Sequence, residues 1–375
     1  MKNDESKESF RDSIATINKD GDRAWIYAQK PKGKLYNLRS LLSVVYLIVF
    51  FSLPFIKVSG EPLFLANIQE RKFILFGAIF WPQDLFLFVL GMLTFILFII
   101  LFTVVFGRIF CGWACPQTVF MEMVFRKIEY WIEGDASHQK ILNKKNWDAE
   151  KIIKKSSKLS VFYLVSFLIT NTFLAYIISM DQVLDLYKQG LYQNLGTFIS
   201  LVIFTFIFFL VYLRFREQVC IVVCPYGRLQ GVLLDRNSII VAYDYIRGET
   251  RGKFKKNETR TIGDCIDCEQ CVKVCPTGID IRNGTQLECI NCTACSDACD
   301  HMMGSVGLPK GLIRFDSENG IANNQKLKIT SRMMAYSAVL VLLLGILVTL
   351  LVSRTDVETT IMRTPGMLYQ EQPNN

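Results

Sequence analysis

The sequence predicts an α-helical membrane protein of about five transmembrane helices, with one polar α+β domain inserted before the last of them. Three observations carry this prediction. Hydrophobic residues make up 51% of the 375-residue chain, and they are gathered into long runs instead of being spread as a soluble core would spread them. Lys and Arg alternate between connecting segments: nine lie before residue 40, ten in 108–158 and seventeen in 214–332, but only four in 57–83 and 181–196 together. That alternation follows the positive-inside rule and accounts for the net charge of +8. It leaves no basic surface that calls for nucleic acid. Finally, eight of the twelve cysteines fall in one polar stretch, 265–299.

Taken in order, residues 1–39 are polar and hold no cleavable signal pattern, so they read as a cytoplasmic N-terminal segment. Residues 40–214 read as a four-helix membrane region. Its first apolar run, about Leu41–Val58, contains Pro54 and is the least regular. The patch Phe73–Pro82 is too short to cross and is expected at the interface. Leu85–Phe106, Leu159–Ser179 and Leu195–Leu213 complete the four, with a cytoplasmic loop over 107–158. In that loop Phe120, Met123, Val124, Lys127, Ile128, Trp131 and Ile132 follow helical spacing, which predicts an amphipathic helix along the inner membrane surface. Residues 215–331 form the inserted cytoplasmic domain, 332–353 (apolar over Met333–Val352) the fifth crossing, and 354–375 a periplasmic tail.

One feature occurs twice. The second crossing is followed by Cys111-Gly-Trp-Ala-Cys115-Pro116, and the fourth by Cys220-Ile-Val-Val-Cys224-Pro225. Each proline suits the first turn of a new helix, which makes Cys115 and Cys224 candidate N-caps with lowered thiol pKa. Four thiols at two neighbouring helix ends could bind a soft metal such as Cu(I) or pass electrons. Equally, they could be small buried residues at helix breaks.

The inserted domain contains Cys265-Ile-Asp-Cys268-Glu-Gln-Cys271-Val-Lys-Val-Cys275-Pro276, and the same pattern returns as Cys289-Ile-Asn-Cys292-Thr-Ala-Cys295-Ser-Asp-Ala-Cys299. Three cysteines two residues apart can wrap three corners of an iron–sulfur cubane, while the fourth is carried off to the other cluster. The pattern therefore predicts a ferredoxin-like domain with two [4Fe–4S] clusters. One would be held by Cys265, Cys268, Cys271 and Cys299, the other by Cys289, Cys292, Cys295 and Cys275. A zinc module is the alternative, but structural zinc takes four ligands, commonly as two C-x-x-C pairs. Asn283-Gly284 predicts a hairpin that folds the two motifs onto one another. With only His138 and His301, paired axial haem ligation is not expected. His301 reads as a surface residue, and Met302 and Met303 as packing. Neither a Gly-rich phosphate loop nor a flavin fingerprint is present.

Gly107-Arg-Ile-Phe-Cys-Gly-Trp-Ala-Cys-Pro-Gln-Thr, Cys224-Pro-Tyr-Gly-Arg-Leu-Gln, Tyr243-Asp-Tyr-Ile-Arg-Gly-Glu and the doubled cluster motif together resemble the cytochrome c oxidase accessory proteins of the FixG/CcoG/RdxA type. The resemblance implies a protein of the bacterial inner membrane that reduces Cu(II) to Cu(I) for assembly of a cbb-type oxidase. Assembly factors or a copper transporter or chaperone would be its partners, and the electron donor is not implied. It would assign Cys111, Cys115, Cys220 and Cys224 to copper or to electron hand-off. Relatives of this type continue into an outer β-sandwich, and ending at Asn375 the chain reads as lacking it. Two other functions fit the same residues: a quinol-oxidising polyferredoxin subunit, and an assembly scaffold with structural clusters.

Overall fold

A computed structural model describes residues 15–17, 22–58, 60–68, 70–76, 78–189, 194–254, 261–324 and 330–353. The expected periplasmic tail 354–375 lies outside the described residues, as does most of the segment before residue 22. The protein is mostly helical. Five helices are long and apolar enough to cross a membrane: Lys34–Phe55, Leu85–Phe106, Ala149–Ile178, Leu195–Phe215 and Ser331–Val352. In the second and fifth only 6% of the most apolar window is buried within the protein, so lipid must cover the rest. Their ends follow local rules. Asp148 accepts a hydrogen bond from the Lys151 amide and Thr330 from the Met333 amide, each capping a helix start. Pro54 turns the end of the first span into a 3₁₀ turn, Leu53–Phe55. Gly107, at φ +56°, ends the second.

Three expectations need correction. The first span begins at Lys34, well before Leu41, because Asp297 of the inserted domain accepts hydrogen bonds from the Leu35 and Tyr36 amides and completes the first turn. The patch at Phe73–Pro82 belongs to a three-stranded antiparallel meander, Phe64–Asn67, Lys72–Leu75 and Ala78–Phe80, with Phe64 opposite Leu75 and Phe73 opposite Phe80. Its buried Leu65 and Ile74 follow the two-residue period of a strand. The meander packs on the third span.

The third correction concerns 119–132. The segment is helical, with a π-helical stretch Val119–Phe125 running into an α-helix Arg126–Ile132. It does not lie on a surface. Phe120, Met121 and Phe125 enter a core with Phe50, Phe162, Ile169, Phe209 and Tyr212, where the Phe125 and Tyr212 rings stack at 4.6 Å. The polar side is buried as well. Arg126 pairs with Glu122 at 2.9 Å, Arg216 with Glu129 at 2.7 Å, Lys158 with Glu133 at 2.9 Å and Arg23 with Glu217 at 2.9 Å. Burial pushes the Glu129 carboxyl up, but Arg216, Lys158 and Arg126 outweigh it and hold it below the ordinary range. Of the residues with helical spacing, Phe120, Val124 and Ile128 face this core, but Met121 and Phe125 are not among them and Trp131 is exposed. The partners that bury the charged side come from distant segments.

The inserted domain is built on an antiparallel pair, Ile240–Tyr243 with Ile313–Asp316, and two packed helices, Gln270–Lys273 and Ala294–Val306. The Asn283-Gly284 turn exists, but no hairpin strands flank it. Asp280 accepts from the Arg282 amide and makes Ile281–Asn283 a 3₁₀ turn, while the strands that pair come from 240–243 and 313–316. Residues 22–33 are no free leader: Gln29 N–H donates to the Lys273 carbonyl, Tyr130 Oη donates to the Ala28 carbonyl, and Gly278 approaches Ile26.

Candidate cluster and thiol site

Each cysteine motif winds its backbone in the same unusual way. Asp267 and Glu269 have φ +53° and +56°, and Asn291 and Thr293 have φ +53° and +64°. These left-handed residues flank the middle cysteine of each motif, Cys268 and Cys292. Side chains with a Cβ seldom adopt this region, and here three successive thiols of each motif line one cavity. The fourth thiol of each group comes from the other motif. One cavity, of about 320 Å³ of empty space, is lined by Cys265, Cys268, Cys271 and Cys299 with Tyr243, Arg282 and Met303. A second, of about 340 Å³, is lined by Cys275, Cys289, Cys292 and Cys295, and touches Cys271 as well. Three thiols of one motif thus meet one of the other, twice.

The cysteines carry no disulfide bond among the described residues. Among the described residues no three His, Cys, Asp or Glu side chains converge as they would on a single ion. A cubane spreads its thiolates over separate iron corners, so this spacing suits a cluster better than a mononuclear metal. Burial pushes Cys271, Cys289 and Cys299 up to about 12 and Cys292 up to about 11. Without metal these are neutral thiols, and binding a cluster must release their protons.

The four remaining thiols lie near enough to act on one another electrostatically. Burial pushes Cys220 up to about 12, with Cys115, Cys111 and Cys224 each adding to it. Burial likewise pushes Cys111 up to about 11, against Arg108 and with Cys115 and Cys224. Cys111 Sγ lies 2.8 Å from Gln230 Oε1. As expected from their prolines, Cys115 and Cys224 stand at the N-caps of Pro116–Thr118 and Pro225–Leu233. The duplication runs deeper than the cysteines. Four residues before each first cysteine the chain makes the same turn, Gly107 at φ +56°, ψ −132° and Arg216 at φ +47°, ψ −120°.

The first loop packs directly on the clusters' domain, and Tyr226, just past the second loop, joins the same contact. Cys111 shares a small core with Val274, Ile290, Cys292 and Ala294. A Cβ on Gly112 would overlap the Ile290 carbonyl oxygen, and Trp113 Nε1 donates to the Asn291 carbonyl at 3.2 Å. Gly107 lets the second span end against the inserted domain, where Ile239 N–H donates to the Val105 carbonyl at 2.9 Å. Two arginines fill the seam. Arg39 Nε donates to the Gly112 carbonyl at 2.7 Å, and Arg108 Nη1 donates to the Leu287 carbonyl. Sequence reasoning passed over both arginines, Gln230 and Asn291. A charged residue at the edge of an apolar run, as Arg39 is, was the available signal. His138 and His301 are exposed and take no part, whereas Met303 is buried against the first cavity.

Comparison with known proteins agrees with this geometry. Residues 215–318 match the 4Fe-4S dicluster domain family and residues 88–136 a 4Fe-4S binding domain family. The chain is 42% identical to protein RdxA of Cereibacter sphaeroides over 67% of its length and 52% of RdxA. It is 33% identical to nitrogen fixation protein FixG of Rhizobium meliloti over 81% of its length and 59% of FixG. It is 36% identical to protein RdxB of Cereibacter sphaeroides over 77% of its length and 62% of RdxB. The chain therefore spans between half and two thirds of the length of these curated relatives. No solved structure matches it significantly. Five membrane-length helices, the 4Fe–4S domain matches and the similarity to RdxA, FixG and RdxB show a membrane iron–sulfur protein that fits the FixG/RdxA family.

Proposed function

We propose that the protein holds two [4Fe–4S] clusters and relays electrons from them to the thiols at the bilayer edge, where Cu(II) is reduced to Cu(I) for assembly of a cbb-type oxidase. Cys265, Cys268, Cys271 and Cys299 hold the first cluster, and Cys275, Cys289, Cys292 and Cys295 the second. Bound there, each cluster takes up and gives back one electron at a time. The observation that carries the reading is the pair of cavities, one lined by Cys265, Cys268, Cys271 and Cys299, the other by Cys289, Cys292 and Cys295 with Cys275 and the edge of Cys271. The left-handed residues beside Cys268 and Cys292 aim the thiols, and the apolar walls, among them Ile279, Ile281 and Leu312, keep water away. Cys111, packed in one core with Cys292, links the second cysteine set to the edge thiols. Cu(II) is the substrate, and sulfur ligands favour its reduced form. The alternating basic stretches support a reading in which the thiols and the inserted domain face the cytoplasmic side of a bacterial inner membrane and the segment after the fifth span the periplasmic side.

The test is paramagnetic resonance of the reduced, purified protein during titration with Cu(II). The expected result is two cluster signals that disappear as Cu(II) is consumed. In Cys111→Ala and Cys220→Ala the iron content should stay and copper reduction should fall. Copper reduction unchanged in both variants removes the copper role. Cluster reduction by quinol with no response to copper favours the quinol-oxidising reading instead.

A further inference from the structure

The two cysteine sets sit in different electrostatic surroundings. Beside the second set, Arg39 and Arg108 are each 3% exposed, and among the described residues neither is ion-paired to a carboxylate. Arg39 uses Nε on the Gly112 carbonyl, while its Nη2 is buried with no hydrogen-bond partner. Arg108 uses Nη1 on the Leu287 carbonyl, while its Nε is buried with none. The charge of Arg39 acts on Cys292, and that of Arg108 on Cys289 and Cys111. Glu122 opposes Arg39 at Cys292, but it is itself paired to Arg126 at 2.9 Å.

The first set has a different neighbour. Arg282 lines its cavity, yet its guanidinium is held by Asp280 at 2.7 Å and Asp267 at 2.5 Å. Asp300 adds negative charge beside Cys299. The positive charge near this set is therefore paired to carboxylates, unlike that of Arg39 and Arg108, although Arg282 still acts on Cys271 more strongly than Asp280 does.

A reduced cluster carries one more negative charge than an oxidised one. Unpaired buried cations stabilise that extra charge, and N–H groups donated to cluster or cysteine sulfur do the same. An orphaned buried N–H is otherwise costly. We infer that Arg39 and Arg108 hold the second cluster at a more positive reduction potential than the first, so that an electron in the inserted domain rests beside Cys111. The transfer this favours is one electron from first to second cluster, with no bond made or broken and no proton moved. The two arginines thus act as positioning residues for the electron, and give the relay its direction toward the bilayer edge.

This inference rests on the ligation proposed above, and one experiment separates the two. The full chain in detergent is titrated redox-wise under paramagnetic resonance, with iron and acid-labile sulfide measured on every sample. Cys292→Ser, by changing one ligand, identifies which signal belongs to the second cluster. In the unaltered protein that signal should reduce first. In Arg39→Gln and Arg108→Gln its midpoint should fall toward that of the other cluster, so that the two reduction steps draw together, and the first cluster's midpoint should stay. Arg39→Lys, which keeps the charge but not the fork of donors, should fall between. Should Arg39→Gln lose iron, Arg39→Lys and Arg108→Gln are judged by the same criterion. Unmoved steps in variants that retain both clusters overturn the inference, as does a shift confined to the first cluster. An unaltered protein that holds fewer than two full clusters overturns the ligation reading instead.

Discussion

The two thiol loops are the same backbone device used under different conditions. Both follow a span, both turn through positive φ four residues before the first cysteine, and both end with a cysteine N-cap and a proline. In the first loop the residues between the cysteines are Gly112, Trp113 and Ala114, and Gly112 is pressed against the backbone of Ile290 and Cys292. In the second they are Ile221, Val222 and Val223, of which Val222 and Val223 are exposed. The first turn is made by glycine, which enters the left-handed region without strain. The second is made by Arg216, which is held there by Glu129 in a buried pair. Duplication supplied the shape twice. One copy packs on the clusters' domain through its own backbone, and the other meets it through Tyr226 and leaves Val222 and Val223 exposed.

That contrast can be broken in steps of decreasing size. Glu129→Ala strands the buried Arg216 and should destabilise the protein by about 3–5 kcal/mol. Denaturation in detergent measures the loss, and the damage should reach the second loop first, seen as faster alkylation of Cys224 than of Cys115. Gly112→Ala forces a methyl group against the Ile290 carbonyl and should cost about 1–3 kcal/mol, whereas Ile221→Ala, at the matching position of the open loop, should cost less than about 1 kcal/mol. Equal losses at the two positions would remove the docking asymmetry. Trp113→Phe deletes one hydrogen bond to Asn291 and should cost about 1 kcal/mol, read as earlier loss of cluster absorbance on heating. Val223→Ser should stay within about 0.5 kcal/mol.

A pH series sharpens the same comparison in protein stripped of metal. Cys111 is raised to about 11, so between pH 9 and 11 it keeps its proton in the folded state while the unfolded chain has lost it. Its contribution is fully present below the unfolded thiol's pKa and is lost as pH rises through about 11. Stability should therefore fall with alkali over that window, and Cys111→Ser should flatten the decline. A decline as steep in Cys111→Ser as in the parent protein would contradict the assignment.

Much of the candidate site was legible in the sequence. The spacing C-x-x-C-x-x-C-x-x-x-C recorded which thiols share a cavity, because a cubane imposes that spacing on any chain that wraps it. The spans were legible because a run of about twenty apolar residues has few other uses. Less local features were hidden. Residues 119–132 showed a genuine helical period, yet the expected surface position failed because Lys155, Lys158, Arg216 and Glu217 arrive to bury the charged side. The meander over 64–80 was missed because its strands are only three or four residues long and were read through one apolar patch.

By itself, then, the sequence determined the five apolar spans, the doubled cysteine pattern and the repeated loop, since each is written in contiguous residues whose spacing obeys helix or cubane geometry. Only the tertiary structure decided which loop meets the clusters. The edge thiols nearest in sequence to the cluster cysteines are Cys220 and Cys224, but the one that packs beside Cys292 is Cys111. The physical reason is steric: only a loop with Gly112 at its apex lets two backbones approach closely enough for Arg39 and Arg108 to be sealed between them.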